Sequence, residues 1–314
     1  MNTLSVSTYS VREQLGPVKF DFVDPTGTPI HIDLPYPKLL DLADFPARAR
    51  DAFGVEAIET VAFQFTGLDD PEIDRFGASL ASSGVRLLNV AIDAGDLLET
   101  DSEKRAADVQ VLKEWIQRFT AIGSEFVRVN PGSPFSANHG DGAPPAHLVD
   151  ALGELGVFAS ENGARLLVEN HGGPSSNPAW MSALLDATGR DHLGLLLDLG
   201  NFDALMGPMM AIFFGGADGT PVDPATVFAG LDLSTLYAGI EQLAGRAELV
   251  HVKAHEVGDD GSVGPVDLDR ALTILRDHGY AGALTVEYEG NGGDPWAKSA
   301  RVLEVARSVF GGAR

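Results

Sequence analysis

The chain has 314 residues, 44% of them hydrophobic, and a formal net charge of −23. A surface this acidic repels phosphodiester backbones and anionic lipid, so nucleic acid and membranes are not expected as partners. The chain has no cysteine, which excludes disulfides, thiolate metal sites and thiol nucleophiles.

The N-terminal segment, MNTLSVSTYSVREQ, lacks the basic region and apolar core of a signal peptide. No apolar run approaches the roughly 20 residues that a membrane-spanning helix needs. We therefore expect a cytoplasmic protein.

The first part of the chain predicts a strand, a hairpin and a helix. A strand is predicted at Thr3–Tyr9. A β-hairpin is predicted at Val18–Leu34, because alternating apolar residues flank the turn signal DPTG. Leu39–Phe53 carries apolar residues at helical spacing and ends at Gly54, which predicts a helix. The hairpin precedes every helix, so we expect it to be an insertion in the main fold.

From Gly54 onward, predicted strands and helices alternate. Seven helices follow the first one, at 71–83, 103–122, 146–162, 177–188, 234–243, 267–278 and 294–310. Together with the first strand, eight strands are predicted, around Val6, Ile58, Leu88, Val127, Val168, Leu197, Val250 and Val286. Leu205–Leu233 is rich in Gly and Pro and predicts an irregular loop after strand 6. Its apolar run at Met209–Phe214 predicts either a lid or a subunit contact, because a monomer seldom exposes such a patch. We also expect a homo-oligomer, in which this run would be the subunit contact.

Strict alternation of strands and helices requires a parallel sheet, because each return to the sheet needs a crossover. Eight such units in a chain of this length predict an α/β fold, a (β/α)8 TIM barrel that forms a single domain over residues 1–314. The predicted hairpin at 18–34 is an insertion after strand 1. An open doubly wound sheet is the alternative, but TYSVREQ after the first strand is not a Gly-rich phosphate loop.

Four predicted strands end in a residue that binds metals: Glu169 in LLVENHGG, Asp198 in GLLLDLGNFD, His251 in ELVHVKAHE and Glu287 in ALTVEYEG. A salt bridge or a helix cap explains any one of them. All four at matching strand ends predict one divalent-metal site, because the carboxyl ends of barrel strands meet at one mouth. A shell of three carboxylates and one imidazole favours Mn²⁺, with Mg²⁺, Co²⁺ or Zn²⁺ as alternatives.

Two of these choices have a close competitor. His251, Lys253 and His255 share one face of their strand, and His251 lies nearest to the apolar run. Glu287 lies deeper in its strand than Glu289. We expect Glu289 to support a metal ligand from behind or to be a carboxylate at the rim of the site.

The four strand-end stretches resemble the sugar phosphate isomerase/epimerase family, the xylose-isomerase-like TIM barrels, over about residues 160–290. The resemblance implies that Glu169, Asp198, His251 and Glu287 bind one divalent metal and that the glutamates move protons. Many sugar epimerases of the family have histidine three positions after the metal-binding aspartate. Asn201 stands there in this chain, and an amide does not titrate. The family's multi-zinc DNA-repair endonucleases need more histidines and a basic face, which this acidic chain lacks.

The predicted function is divalent-metal-dependent isomerisation or epimerisation of a sugar, keto sugar or polyol. Glu169 and Glu287 are the predicted acid/base pair, acting on a C–H that the metal acidifies. The alternative is a lyase on the same scaffold, which eliminates a β-substituent from a 3-keto sugar. This lyase would be an inosose-type dehydratase or the catalytic subunit of a C-glycoside deglycosylase, the latter with a partner subunit. A third hypothesis is a non-catalytic binding barrel.

Other polar residues near strand ends or in the adjoining loops are candidates for contact with a carbohydrate substrate: Glu59, Arg128, Asn130, His139, His171, Asn201 and Lys253. The guanidinium of Arg128 suits a carboxylate or a phosphate, and a salt bridge inside the barrel is an equal alternative. Lys253 either stabilises an enediolate oxygen or neutralises the acidic cluster.

Overall fold

Eight short strands form the centre of the computed structural model, which describes residues 2–23, 29–133, 142–214 and 222–311. They are β1 (Leu4–Ser7), β4 (Ala57–Val61), β5 (Arg86–Ile92), β6 (Phe126–Val129), β7 (Arg165–Glu169), β8 (Gly194–Asp198), β9 (Ala247–Ala254) and β12 (Ala283–Tyr288). They close into a barrel in the order β1-β12-β9-β8-β7-β6-β5-β4, and every neighbouring pair is parallel. The predicted (β/α)8 TIM barrel is confirmed.

Helices surround the barrel. Within the described residues they are α1 (Phe45–Phe53), α2 (Pro71–Ser83), α3 (Ser102–Thr120), α4 (Ala146–Glu161), α5 (Pro178–Thr188), α6 (Asp203–Phe214), α7 (Pro224–Phe228), α8 (Ser234–Leu243), α9 (Leu268–Asp277) and α10 (Pro295–Gly311). The amphipathic helices bury their apolar faces against the outside of the strands. The side chains at this contact form the larger of two apolar clusters. None of the described helices is long and apolar enough to cross a membrane.

A smaller apolar cluster fills the barrel interior and positions the candidate site. Its members are Ala57, Leu88, Leu167, Leu196, Leu249 and Ala283. Side chains two positions apart on a strand face the same side. Glu169, Asp198 and His251 each follow a cluster member by two positions, so they also face the interior, one layer nearer the carboxyl ends of the strands. The alternation within each strand therefore places a polar layer directly above an apolar one.

The predicted hairpin after the first strand is confirmed. It consists of β2 (Val18–Val23) and β3 (Pro29–Leu34), which pair antiparallel from Val18 opposite Leu34 to Val23 opposite Pro29. The predicted turn at 24–27 lies outside the described residues. A second, shorter hairpin follows β9 and consists of β10 (Glu256–Val257) and β11 (Val263–Gly264).

The segment predicted to be irregular, Leu205–Leu233, contains helical structure instead. Helix α6 runs through most of its first part, and α7 lies further on. Gly207 and Pro208 disfavour helix by propensity, but Leu205 is fully buried and anchors the first turn in the core. Tertiary packing therefore overrides the local signal here. The role of Met209–Phe214 as a lid or subunit contact stays a prediction.

Candidate metal centre

The four predicted metal ligands converge at the carboxyl end of the barrel. His251 Nδ1 lies 3.6 Å from Glu169 Oε1, 3.5 Å from Asp198 Oδ2 and 3.4 Å from Glu287 Oε2. All four residues are buried. Metal bonds to nitrogen and oxygen of about 2.0–2.2 Å place neighbouring ligand atoms roughly 3 Å apart. The ligand atoms of Glu169, Asp198 and His251 lie within 4.8 Å of one another, so these three residues could hold a single ion, and Glu287 lies beside them.

A hydrogen bond between His251 Nε2 and Glu59 fixes the orientation of the imidazole ring. Its Nε2 lies 3.0 Å from Glu59 Oε2, and Glu59 also accepts hydrogen bonds from Asn89 and Thr285. A histidine that donates Nε2–H to a carboxylate keeps its lone pair on Nδ1. Metal-bound histidines typically have this arrangement. Glu59 was predicted to contact the substrate. It is only 2% exposed and contacts His251 instead, so it lies behind the ring of that histidine.

Three buried atoms of this cluster form no hydrogen bond of good geometry in the described part of the chain: Glu169 Oε2, Asp198 Oδ2 and His251 Nδ1. The two carboxylate oxygens each contact a cation, Arg128 Nε at 2.8 Å and Lys253 Nζ at 2.9 Å, so His251 Nδ1 alone lacks a positively charged neighbour among these residues. A buried polar atom without a hydrogen bond is costly unless an ion satisfies it. Burial acts to lower the pKa of His251, but the surrounding carboxylates, Glu287 foremost, raise it well above its usual value. Without a metal ion the ring therefore balances these carboxylates as a cation, and a divalent ion at Nδ1 would take the place of that proton. The residues present therefore fit a divalent metal ion.

Lys253 carries a positive charge at the edge of the cluster. Its Nζ lies 2.9 Å from Asp198 Oδ2, 3.2 Å from Glu287 Oε2 and 3.0 Å from Glu289 Oε1. It also donates a hydrogen bond of 3.1 Å to Asn201 Oδ1. Lys253 therefore neutralises part of the acidic cluster, which is one of the two roles predicted for it.

Arg128 forms a second positive contact on the opposite side. Its Nε lies 2.8 Å from Glu169 Oε2, and its Nη1 contacts Asp93. Asn130 accepts a hydrogen bond of 2.9 Å from Arg128 and donates one of 2.7 Å to Asp93. The Arg128 side chain is 4% exposed, so the structure favours the salt bridge inside the barrel over a fork that binds substrate.

Two further residues hold the ligand strands in place. Asn170 donates to the carbonyl of Asp198 and accepts from its N–H, both at 2.8 Å, which fixes the end of β7 to the end of β8. Asn201 donates a hydrogen bond of 3.1 Å to Glu169 Oε1. Asn201 therefore links Glu169 to Lys253.

The ionisable groups perturb each other strongly. Burial acts to raise the pKa of Glu169, but Arg128 and His171 hold it below its usual range. Burial opposes ionisation of Glu287 in the same way, and His251 and Lys253 lower its pKa. Burial raises the pKa of Asp198 above its usual value despite the nearby Lys253. Both glutamates are therefore ionised at neutral pH, which is the state that a metal ligand or a proton acceptor requires.

The remaining predicted residues lie apart from the ligand atoms or outside the described chain. His171 is half-buried next to the Gly172 turn, and its Nδ1 has no hydrogen-bond partner among the described residues. His139 lies outside the described residues. Asp93, which the sequence analysis missed, directly follows β5, and the same signal of a carboxylate at a strand end identifies it.

The comparison with protein families agrees with this geometry. The family model described as xylose isomerase-like TIM barrel matches residues 46–306. The chain therefore belongs to the xylose isomerase-like TIM barrel family. No curated protein matches the sequence.

Several solved structures share the fold. L-ribulose 3-epimerase is 19% identical with a TM-score of 0.63, covering 100% of this chain and 99% of its own. D-allulose 3-epimerase from Methylomonas sp. is 16% identical with a TM-score of 0.62, and the match covers 98% of each chain. The apo form of 3-keto-D-glucoside 4-epimerase from E. coli is 13% identical with a TM-score of 0.59, covering 85% of this chain and 94% of its own. At these identities the likeness shows the fold alone.

Proposed function

We propose that this protein is a divalent-metal-dependent epimerase or isomerase of a sugar or keto sugar. The observation that carries the proposal is the buried group of Glu169, Asp198 and His251, whose ligand atoms lie within 4.8 Å of one another, with Glu287 Oε2 3.4 Å from the same nitrogen of His251. Sugar epimerases among the structures of the same fold support the substrate class. Three carboxylates and one imidazole favour Mn²⁺ as the resident ion.

The two glutamates are the proposed acid/base pair. A bound divalent ion supplies Lewis-acid polarisation of the substrate carbonyl, which acidifies the neighbouring C–H. Glu169 on β7 and Glu287 on β12 come from strands three places apart in the barrel order, so they approach the centre from different directions. One carboxylate would remove the proton, and the other, once it has taken up a proton from solvent or from a substrate hydroxyl, would deliver that proton. Return to the opposite face of the same carbon gives the epimer, and return to the neighbouring carbon gives the isomer.

Metal content and proton exchange test this function together. Purified protein supplied with Mn²⁺ should retain about one ion per chain, and Asp198→Asn and His251→Ala should lose it. In D₂O the wild type should exchange a carbon-bound proton of its keto sugar, observed by NMR, while Glu169→Gln and Glu287→Gln should not. Glu248→Gln is the matched control. Glu248 lies on the same strand as His251, but its carboxylate forms a half-buried ion pair with Arg165, 2.8 Å away, and takes no part in the proposed site.

The two measurements separately test metal binding, the acid/base pair and the type of reaction. Wild-type protein that binds no divalent ion after saturation and desalting would contradict the proposal. Full exchange in both glutamine variants would remove the acid/base assignment. A product that has lost a β-substituent would instead identify a lyase.

A further inference from the structure

The ammonium group of Lys253 lies in a shell of oxygen atoms beside the candidate metal centre. Side-chain oxygens of four residues surround its Nζ at 2.9–3.2 Å: Asp198, Asn201, Glu287 and Glu289. An ammonium group has three N–H donors, so it has more oxygen neighbours than hydrogens to donate. Carboxylate and amide oxygens are also the ligands that hard divalent cations prefer. The shell therefore has the chemistry of a cation site, and a cation of the chain itself occupies it.

Two of these oxygens also face the proposed metal position. Asp198 Oδ2 lies 2.9 Å from Lys253 Nζ and 3.5 Å from His251 Nδ1. Glu287 Oε2 lies 3.2 Å from the same Nζ and 3.4 Å from the same nitrogen of His251. Two-metal centres hold their ions about 3.5–4 Å apart, so that one oxygen ligand can contact both ions. The Lys253 ammonium therefore has the relation to these two carboxylates that a second metal ion would have.

The side chain that carries this charge is enclosed. Lys253 is 2% exposed, and its stem passes close to the backbone that follows β8. A β-carbon at position 200 would lie only 3.0 Å from Lys253 Cδ, so Gly200 leaves the room that the stem needs. A metal ion exchanges with solvent, whereas this ammonium is tethered to β9 and stays in its shell.

A nitrogen atom without a good hydrogen bond lies next to the same shell. His255 lies two positions after Lys253, directly beyond β9. It is buried, and its Nδ1 forms no hydrogen bond of good geometry among the described residues. The same Nδ1 lies 3.9 Å from Glu289 Oε2. A buried imidazole nitrogen in this state is unfavourable, and it adds a possible metal ligand beside the oxygen shell.

We infer that Lys253 occupies the position of a second divalent cation and thereby restricts the centre to one metal ion. The inference rests on the metal site of the proposed function and concerns how many ions that site holds. A second ion next to the buried ammonium would be repelled by its charge. Without the ammonium, the oxygens that surround it would need to move inward by about 1 Å each to bind a metal ion such as Mn²⁺.

Two substitutions of the same residue test the inference. Lys253→Ala removes the charge and leaves its space empty, whereas Lys253→Met removes the charge and fills most of the space. Calorimetric titration with Mn²⁺ should give about one ion per chain in the wild type and in Lys253→Met, and about two in Lys253→Ala. Electron paramagnetic resonance should show isolated Mn²⁺ in the first two proteins and a spectrum of two coupled ions in Lys253→Ala.

A double variant controls for ions that bind elsewhere on the acidic surface. Glu289 contacts the ammonium and is not among the proposed ligands of the first ion. Lys253→Ala combined with Glu289→Ala should therefore return to about one ion per chain, without coupling. Circular dichroism checks that each variant is folded, and Lys253→Ser, which leaves similar space, replaces Lys253→Ala if the latter does not fold.

A single, isolated Mn²⁺ in folded Lys253→Ala would overturn the inference. Two coupled ions in the wild type would overturn it as well, and that measurement needs no variant. Failure of the proposed function gives a different result, because a wild type that binds no ion contradicts the metal centre itself. One ion in both the wild type and Lys253→Ala keeps that centre and removes only the inference.

Discussion

At the scale of single residues, Glu59 sets the orientation of His251, a proposed metal ligand, through the ring nitrogen on the side away from the other proposed ligands. The Glu59 carboxylate accepts hydrogen bonds from the side chains of Asn89 and Thr285, and a third from His251 Nε2 at 3.0 Å. Glu59→Gln removes the negative charge that strengthens the imidazole as a ligand. We expect the affinity for Mn²⁺ to fall by about 10- to 100-fold, measured by calorimetry, while circular dichroism stays unchanged. Unchanged affinity, equal to that of Glu248→Gln, would contradict this role.

The buried ion pairs of Arg128 predict that the protein loses stability when this side chain is replaced. The buried guanidinium lies beside Glu169 and Asp93, so Arg128→Met leaves carboxylates without their counter-charge. We expect a loss of about 3–5 kcal/mol in the free energy of unfolding, measured in urea without added metal. Arg165→Met is the matched comparison, because its pair with Glu248 is half-exposed and should cost about 1 kcal/mol or less. Equal losses in the two variants would contradict the argument.

The sequence was informative for residues whose position in a strand decides their role. The four ligand candidates end apolar strands, and a barrel brings strand ends together, so their convergence was predictable. The contact between Glu59 and His251 was not, because it joins residues 192 positions apart in the chain through side-chain rotamers. Lys253 and Arg128 had two open roles each, since only their neighbours in space decide whether they face substrate or carboxylates.

At the scale of elements, helix α2 begins with a capping aspartate. Asp70 accepts from the Glu72 N–H at 2.9 Å and from Thr66. Burial acts to raise the pKa of Asp70, but these hydrogen bonds lower it from its usual value of 3.8. Asp70→Ala should cost about 1 kcal/mol at pH 7 in the free energy of unfolding. Because the folded-state pKa is lowered, the charged cap contributes fully above pH 3.8 and is lost as the pH falls through the folded-state value.

Urea unfolding of the wild type and Asp70→Ala, at pH 7 and at the lowest pH where both remain folded, checks this dependence. The stability difference should shrink on acidification. A difference that grows instead would show that the carboxylate form is not the capping species.

Helices with regularly spaced apolar residues and a clear terminal residue were predictable from the sequence. Helix α6 was not predictable in this way. Most helices combine apolar periodicity with a glycine at the end, as α2 does at Gly84. In α6 the apolar residues surround the axis without a period, and Gly207 and Pro208 indicate a break. Its helical state depends on packing of residues such as Leu205, and sequence pattern alone carries no information about that packing.

At the scale of the whole molecule, the centre gathers several carboxylates from distant strands into one buried cluster. In the described part of the chain, five buried or half-buried carboxylates (Glu59, Glu169, Asp198, Glu287 and Glu289) lie with the permanent cations Lys253 and Arg128 around His251. Folding without metal must bring these carboxylates together against their repulsion, whereas the unfolded chain keeps them apart. A divalent ion that binds only the folded barrel therefore stabilises the entire fold.

The stabilisation can be measured by thermal and urea unfolding with and without Mn²⁺. At a free ion concentration of 100 times Kd, binding to the folded state alone adds about 2.7 kcal/mol. The wild type and Glu248→Gln should both gain this stability, and His251→Ala should gain little, because its site lacks the only nitrogen ligand. An equal gain in His251→Ala would mean that Mn²⁺ stabilises the protein through its acidic surface. A gain that disappears only in His251→Ala ties the stability of the whole barrel to this centre.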